Sequence, residues 1–218
     1  VAARAAKTVS AKGKHDYFEA GMDLLGTGGV GAVTIARLCA ALGVTKGSFY
    51  HHFTGVEDFR TQLLAHWSTE REQQVVAAAA AATDPHVRLD LLRDSSVSLH
   101  HEAEAAIRAW SRVDADAWQV RAAVDAAREQ AVAQAFVDVG VPPQRAAFFG
   151  RLAVVVLVGA QHREETTDRA ELHAMYSWLE EMALATAVEA DVEPVQRRSV
   201  GRRSSARTSS AARGMANR

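Results

Sequence analysis

Apolar residues recur at three- and four-residue intervals through most of this chain, and β-branched runs are only scattered, so the pattern predicts helices throughout. Ile35, Leu38, Cys39 and Leu42 share one face of a segment over 34–42. Thr34 opens that segment with a hydroxyl able to accept a free backbone N–H, and Gly43 supplies the left-handed residue that commonly ends a helix. Val44 plugs the turn, and Thr45 caps a second short helix running to Phe53. In that helix Val44, Phe49 and Phe53 point inward. Thr45, Lys46, Ser48, Tyr50, His51 and His52 leave an outer face of hydrogen-bonding groups, and Gly47 lets backbone approach a ligand closely. Such a face suits base edges and phosphates of a DNA major groove. A plain amphipathic hairpin is the simpler alternative, but it explains neither Gly47 nor the crowding of one aromatic and two histidines on the solvent side.

Further helices follow. One is predicted over 56–81, with an acidic first turn that suits the helix dipole and with Phe59, Leu63, Leu64 and Trp67 in register. Asp84 and Pro85 break it and start another, to about 101, and a shorter one follows over 102–112. Asp114 or Asp116 caps a long helix to Val139, which Gly140 ends. Pro142 and Pro143 mark the start of a helix over 143–163. Asp168 with Glu171 caps the last one, to about Ala190.

The segment from about residue 14 to 67 resembles the amino-terminal domain of the TetR (tetracycline-repressor-like) family of transcriptional regulators. The residues that carry the resemblance are Gly26, Gly28 and Gly29 in a bend, Thr34, the Gly43–Val44 turn, Tyr50, His52 and Phe53, then Glu57 and Asp58. One position departs. Family members commonly place Lys just before the acidic pair, where it meets a DNA phosphate; here it is Val56, so backbone N–H groups at the helix start or another cation must serve. Thr54 and Glu57 form a possible capping box there.

The resemblance implies an all-α protein with four parts: an arm over 1–13, a three-helix helix-turn-helix DNA-binding domain over 14–55, a helical ligand-binding and dimerisation domain over 56–190, and a tail over 191–218. It implies DNA contacts from Thr34, Thr45, Lys46, Gly47, Ser48, Tyr50, His51 and His52. Lys46, Gly47 and Ser48 lie nearest the bases, while Thr34, Tyr50 and His52 fix phosphates. The expected partners are a near-palindromic double-stranded operator, a small-molecule effector of unspecified chemistry and a second copy of the chain. The homodimer is expected through Phe148, Leu152, Val155, Trp178 and Met182.

Charge fits that division. The net charge of -1 separates into a mildly basic head with seven Lys or Arg against five acids over 1–66, an acidic body with eleven against nineteen over 67–190, and a basic tail with seven against two. So weakly basic a head suits a reader using few contacts. Arg4, Lys7 and Lys12 can reach DNA as an arm, and the Arg- and Ser-rich tail has the composition of a disordered segment. The apolar run Ala153–Ala160 is far shorter than the roughly 20 residues of a membrane helix. With no signal-peptide pattern, a cytoplasmic location is expected. Cys39 on a buried face reads as an inert core thiol.

The middle helices should surround a pocket, with Trp110, Trp118, Phe136 and Phe149 as walls and His100, Arg112, Arg121 and Gln161 as polar groups. Each of these is as readily a core or surface residue. His100 and His101 point about 100° apart on a helix and cannot easily share one ion, so neither metal nor cofactor is expected. An enzyme would have to draw on His51–His52 and Glu164–Glu165, which form no recognisable constellation. A helical protein–protein adaptor with a degenerate DNA head is the better alternative, and Val56 is the feature that favours it.

Overall fold

The computed structural model describes residues 12–163 and 166–187; the outer arm, Glu164, Glu165 and the tail lie outside them. Every regular element among the described residues is a helix. In chain order they are α1 (Lys14–Ala32), α2 (Ile35–Leu42), α3 (Lys46–His52), α4 (Val56–Ala81), α5 (Pro85–Val97), α6 (His101–Trp110), α7 (Ala115–Asp138) and α8 (Pro143–Arg163). Residues 169–187 form α9.

The punctuation residues act as their chemistry requires. Asp84 accepts from the N–H of His86 with Pro85 in the first turn, and Asp114, not Asp116, accepts from Ala117 to start α7. Asp168 accepts from the N–H groups of Ala170 and Glu171 at 2.9 and 3.0 Å. Gly140 turns the chain out of α7 at φ 93°, a conformation that an L side chain resists. The main boundary difference from the sequence reading lies between α5 and α6: α5 stops at Val97, and α6 runs from His101 to Trp110. The expected Thr54–Glu57 capping box is also replaced. The N–H of Thr54 donates to Asp58 Oδ2 at 2.7 Å, while Glu57 pairs with Arg60.

Two apolar cores divide the molecule. The first joins the head to the body, with Tyr17, Leu38, Phe49, Phe53, Phe59, Leu63, Trp67, Ile107 and Trp110 all in it. Its centre is an aromatic cluster: Tyr17 and Phe53 meet edge-on at 5.5 Å, as do Phe53 and Phe59 at 4.9 Å, an arrangement that aromatic quadrupoles favour. The second core gathers Leu89, Leu92, Phe136, Phe149, Leu157, Leu172, Tyr176 and Leu179 from α5, α7, α8 and α9. α7 runs through both. It packs closely on α8 at Gly150, where a Cβ would lie 2.5 Å from the carbonyl oxygen of Glu129.

α8 has 21 residues and contains an 18-residue stretch of mean hydropathy 1.2, so by length and composition alone it could cross a membrane, unlike the shorter Ala153–Ala160 run. Here it is a core helix with two unlike faces. Ala146, Phe149, Gly150, Ala153, Val154 and Leu157 are buried, whereas Phe148 and Val155 are 63% and 58% exposed.

Candidate DNA-reading face and ligand cavity

α2 and α3 form the helix-turn-helix as the sequence requires. Thr34 Oγ1 accepts from Arg37 N at 3.3 Å, and Thr45 Oγ1 accepts from Ser48 N at 3.3 Å. Gly43 adopts φ 66°, and the N–H of Val44 donates to Cys39 O at 3.0 Å. The two threonine hydroxyls therefore cap helices, which places them at the helix starts where they also line the outer surface. Cys39 is buried beneath this turn, where burial pushes its thiol pKa up, in keeping with an inert thiol.

The outer face of α3 is narrower than the sequence suggests. Lys46, Gly47, Tyr50 and His51 are exposed, Tyr50 by 57%. Ser48 and His52, expected on that face, instead turn toward α1. The hydroxyl of Tyr17 donates to Ser48 Oγ at 3.0 Å, His52 Nε2 meets the carbonyl of Lys12 at 3.0 Å, and the His52 ring lies 5.6 Å from that of Tyr17. Helical geometry explains the miss: Ser48 and His52 are four residues apart and share a stripe next to Phe49, so the neighbour that packs against Phe49 also reaches them. Tyr17 was not singled out from sequence. Its position beside Phe18 in an apolar-periodic segment reads only as core.

Val56 is half-buried at the start of α4, and α1 brings a cation to this part of the head. Lys14 Nζ lies 5.4 Å from the ring centre of Phe53 and donates to Gln62 Oε1 at 2.9 Å. The glycine bend is held from α4 as well. Arg60 Nη2 donates to the carbonyls of Val30 and Val33, at 3.1 and 3.0 Å, and Gly29 takes φ 65°.

The residues expected to line one pocket are dispersed. His100 is exposed ahead of α6, 3.3 Å from Asp23, and Arg112 is exposed after α6. Trp110 is buried in the first core. Trp118 is 54% exposed, because it follows buried Ala117 by one residue and so points away from the body. Phe136 and Phe149 meet at 5.9 Å in the second core. Arg121 pairs with Asp125 at 2.9 Å, and buried Gln161 borders a separate cleft between α1, α6 and α8.

Of those eight, only Phe136 lines the cavity between α5, α7, α8 and α9. Its other walls include Leu89, Leu92, Leu157 and Tyr176, with Arg93, Ser96, Arg128 and Glu180 as polar groups. The open space is about 40 Å³, room for water but not for an organic ligand without displacement of a wall. Burial raises the Tyr176 hydroxyl well above its ordinary pKa, so it stays a neutral donor. Burial also raises the Glu180 carboxyl, against the pull of Arg93, whose Nη1 donates to it at 2.6 Å.

Behind the cavity lies a buried polar relay that the sequence reading did not see. Arg128 donates to both oxygens of Glu104 at 2.9 and 2.8 Å, and Trp67 Nε1 on α4 donates to the same carboxylate at 3.0 Å. Arg108 donates to both oxygens of Asp125 at 2.7 and 2.8 Å and, through Nε, to Gln161 Oε1 at 3.2 Å. Gln161 Nε2 in turn meets His101 Nδ1 at 3.3 Å, leaving Nε2 of His101 to donate to Val97 O at 3.0 Å. Burial alone would raise Glu104 and Asp125, but the facing guanidinium groups hold both carboxyls below their ordinary range. The spacing Glu104–Arg108 and Arg121–Asp125 was a legible signal, since charges four apart share a helix face.

Comparisons with known proteins place this architecture. Residues 18–61 match the family model described as bacterial regulatory proteins, tetR family. No curated protein matches the chain by sequence. Among solved structures, a TetR transcriptional regulator from Legionella pneumophila superposes with a TM-score of 0.69 at 9% identity, covering 80% of this chain and 98% of that one. A TetR-family transcriptional regulator from Streptomyces coelicolor gives 0.66 at 18% identity, covering 80% and 95%. A structure described as a transcriptional regulator from Saccharomonospora viridis, in complex with choline, gives 0.65 at 15% identity, covering 77% and 95%. The amino-terminal helix-turn-helix of this chain is thus a DNA-binding domain of the tetR family of bacterial regulatory proteins, built onto a helical body with the fold of that family's transcriptional regulators.

Proposed function

We propose that the protein is a sequence-specific transcriptional repressor that leaves its operator when a small molecule enters the helical body. The observation that carries this reading is the presentation of α3: its inner stripe is tied to α1 through Ser48 and His52, while Lys46, Gly47, Tyr50 and His51 stand free on the outer side. Lys46 donates to guanine acceptors, Tyr50 and the start of α3 fix phosphates, and Thr34 and Thr45 contribute from the two helix starts. Lys14 supplies near α4 the cation that Val56 lacks. A mobility-shift titration with the DNA flanking the protein's own gene tests the reading. Retardation that survives excess random duplex supports it; equal affinity for random duplex overturns it and favours the adaptor.

The second copy of the chain binds through apolar residues left exposed on α8 and α9. Phe148 and Val155 on α8 and Trp178 and Met182 on α9 are all exposed, Trp178 by 68% and Met182 by 51%, and half-buried Leu152 lies between the two α8 residues. A two-fold pairing of these residues sets two α3 helices on successive major grooves of a near-palindromic site.

The effector enters between α5, α7, α8 and α9. Because the cavity offers only about 40 Å³ of open space, binding has to part its walls, and Arg128 on one wall reaches α4 through Glu104 and Trp67. The choline complex of the Saccharomonospora viridis protein supports a small-molecule effector for a body of this fold. A coupling of about 1–3 kcal/mol between the sites gives roughly 5- to 150-fold weaker DNA binding, and DNA weakens effector binding by the same factor.

A further inference from the structure

Where α1 begins, within the head, its first turns pack against α4. His15 and Glu19 are one helical turn apart on α1, and His66 and Glu70 are one turn apart on α4, so each pair projects from a single face. One donor atom each from His15, Glu19 and His66 lie within 4.8 Å of one another. We propose that these three residues bind a divalent transition-metal ion that clamps α1 to α4.

The donor set has the right chemistry. Two imidazoles and a carboxylate, with water in the fourth position, are a known tetrahedral arrangement for zinc. Bonds of about 2.0–2.2 Å would bring the donors to roughly 3.4 Å apart, a closure of side chains alone. The ring of His66 is already oriented, stacked on Phe18 at 4.6 Å and edge-on to His15 at 5.6 Å. Its Nε2 is buried without a well-aligned hydrogen bond, and Glu70 Oε1 lies 3.3 Å from it. Glu70 is thereby placed to complete the ion's surroundings, as outer carboxylates beside ligating histidines do. Two carboxylates also balance the charge of a divalent cation. The adjacent histidine pairs 51–52 and 100–101 have no comparable convergence; this site is assembled by two helices far apart in sequence.

The clamp joins the first turns of α1, within the DNA-binding head, to α4, whose Phe59, Leu63 and Trp67 lie in the first core, so it fixes the angle between them. Any effect on operator affinity rests on the proposed function, whereas metal binding itself does not.

Calorimetric titration of the full chain with ZnCl₂ in the absence of DNA tests the clamp, with thermal melting as a second measurement. Wild type takes up a single ion per chain, and its melting temperature rises with Zn²⁺, as for any ligand of the folded state. His15→Ala and Glu19→Gln, both at exposed positions, should weaken that affinity by about tenfold or more and lose the thermal shift, with unchanged circular dichroism. His86→Ala on α5 should change neither. No uptake by wild type, or the same affinity in His15→Ala and Glu19→Gln as in wild type, would overturn the proposal.

Discussion

Arg128 on α7 grips Glu104 on α6 through two parallel hydrogen bonds of 2.9 and 2.8 Å, and the carboxylate they share is only 2% exposed. Removing one partner leaves the other charge buried. Glu104→Leu should therefore destabilise the protein by about 3–5 kcal/mol, measured by urea unfolding. Glu104→Leu combined with Arg128→Met should recover much of that loss, although Trp67 Nε1 stays without its acceptor. A double variant no more stable than Glu104→Leu would show that the pair holds something beyond itself. Effector-induced release from DNA should be lost in the same double variant, because the path from the cavity to α4 is gone.

At the DNA face the structure separates three roles. Lys46→Ala should relax sequence choice, with a loss of about 1–3 kcal/mol on the specific site and little on random duplex. Tyr50→Phe should weaken specific and random duplexes alike. Tyr17→Phe removes only the hydroxyl that donates to Ser48, so it should weaken specific binding while leaving base preference unchanged. Competition mobility shifts with single-base operator variants distinguish these outcomes; altered preference in Tyr17→Phe would return Ser48 to the bases.

The exposed apolar residues on α8 and α9 yield a prediction about assembly. Trp178→Arg or Phe148→Glu should give a folded monomer by light scattering at micromolar concentration and, because two heads no longer act together, steeply weaker operator binding. A monomeric wild type under the same conditions would refute the dimer.

Acidification should act through His101. Burial holds its imidazole below the ordinary value of 6.5, and the Gln161 amide leaves its Nδ1 as an acceptor. Below pH 6.5 the unfolded chain takes up a proton that the folded one refuses, so stability falls with pH until the folded imidazole itself titrates. His101→Gln should flatten that part of the melting-temperature profile; an unchanged slope would exclude His101 as the cause.

The helices and their caps were legible because they are written locally. Thr34, Gly43, Thr45, Asp84 and Gly140 act on backbone groups within a few residues of themselves, and no distant part of the chain is needed to read them. The site was only half legible. Lys46 and Tyr50 follow from helical phase, but the inward turn of Ser48 depends on Tyr17, 31 residues away. The cavity was the least legible part. Its polar residues Arg93, Arg128 and Glu180 look like ordinary surface charges in sequence, whereas Trp110 and Trp118 look like pocket walls and face a core and the solvent. Which face of a helix is buried is decided by its neighbours, and long-range packing has no local signature.

Arg60 carries a last consequence. By holding the carbonyls of Val30 and Val33 it hangs the bend that leads into α2 from the first turns of α4, so the whole reading head travels with α4 as a unit. An effector that tilts α4 then leaves the letters each head recognises untouched and changes the distance at which two heads can land together. Operators selected in the presence of effector should keep the same half-site words and differ in the gap between them.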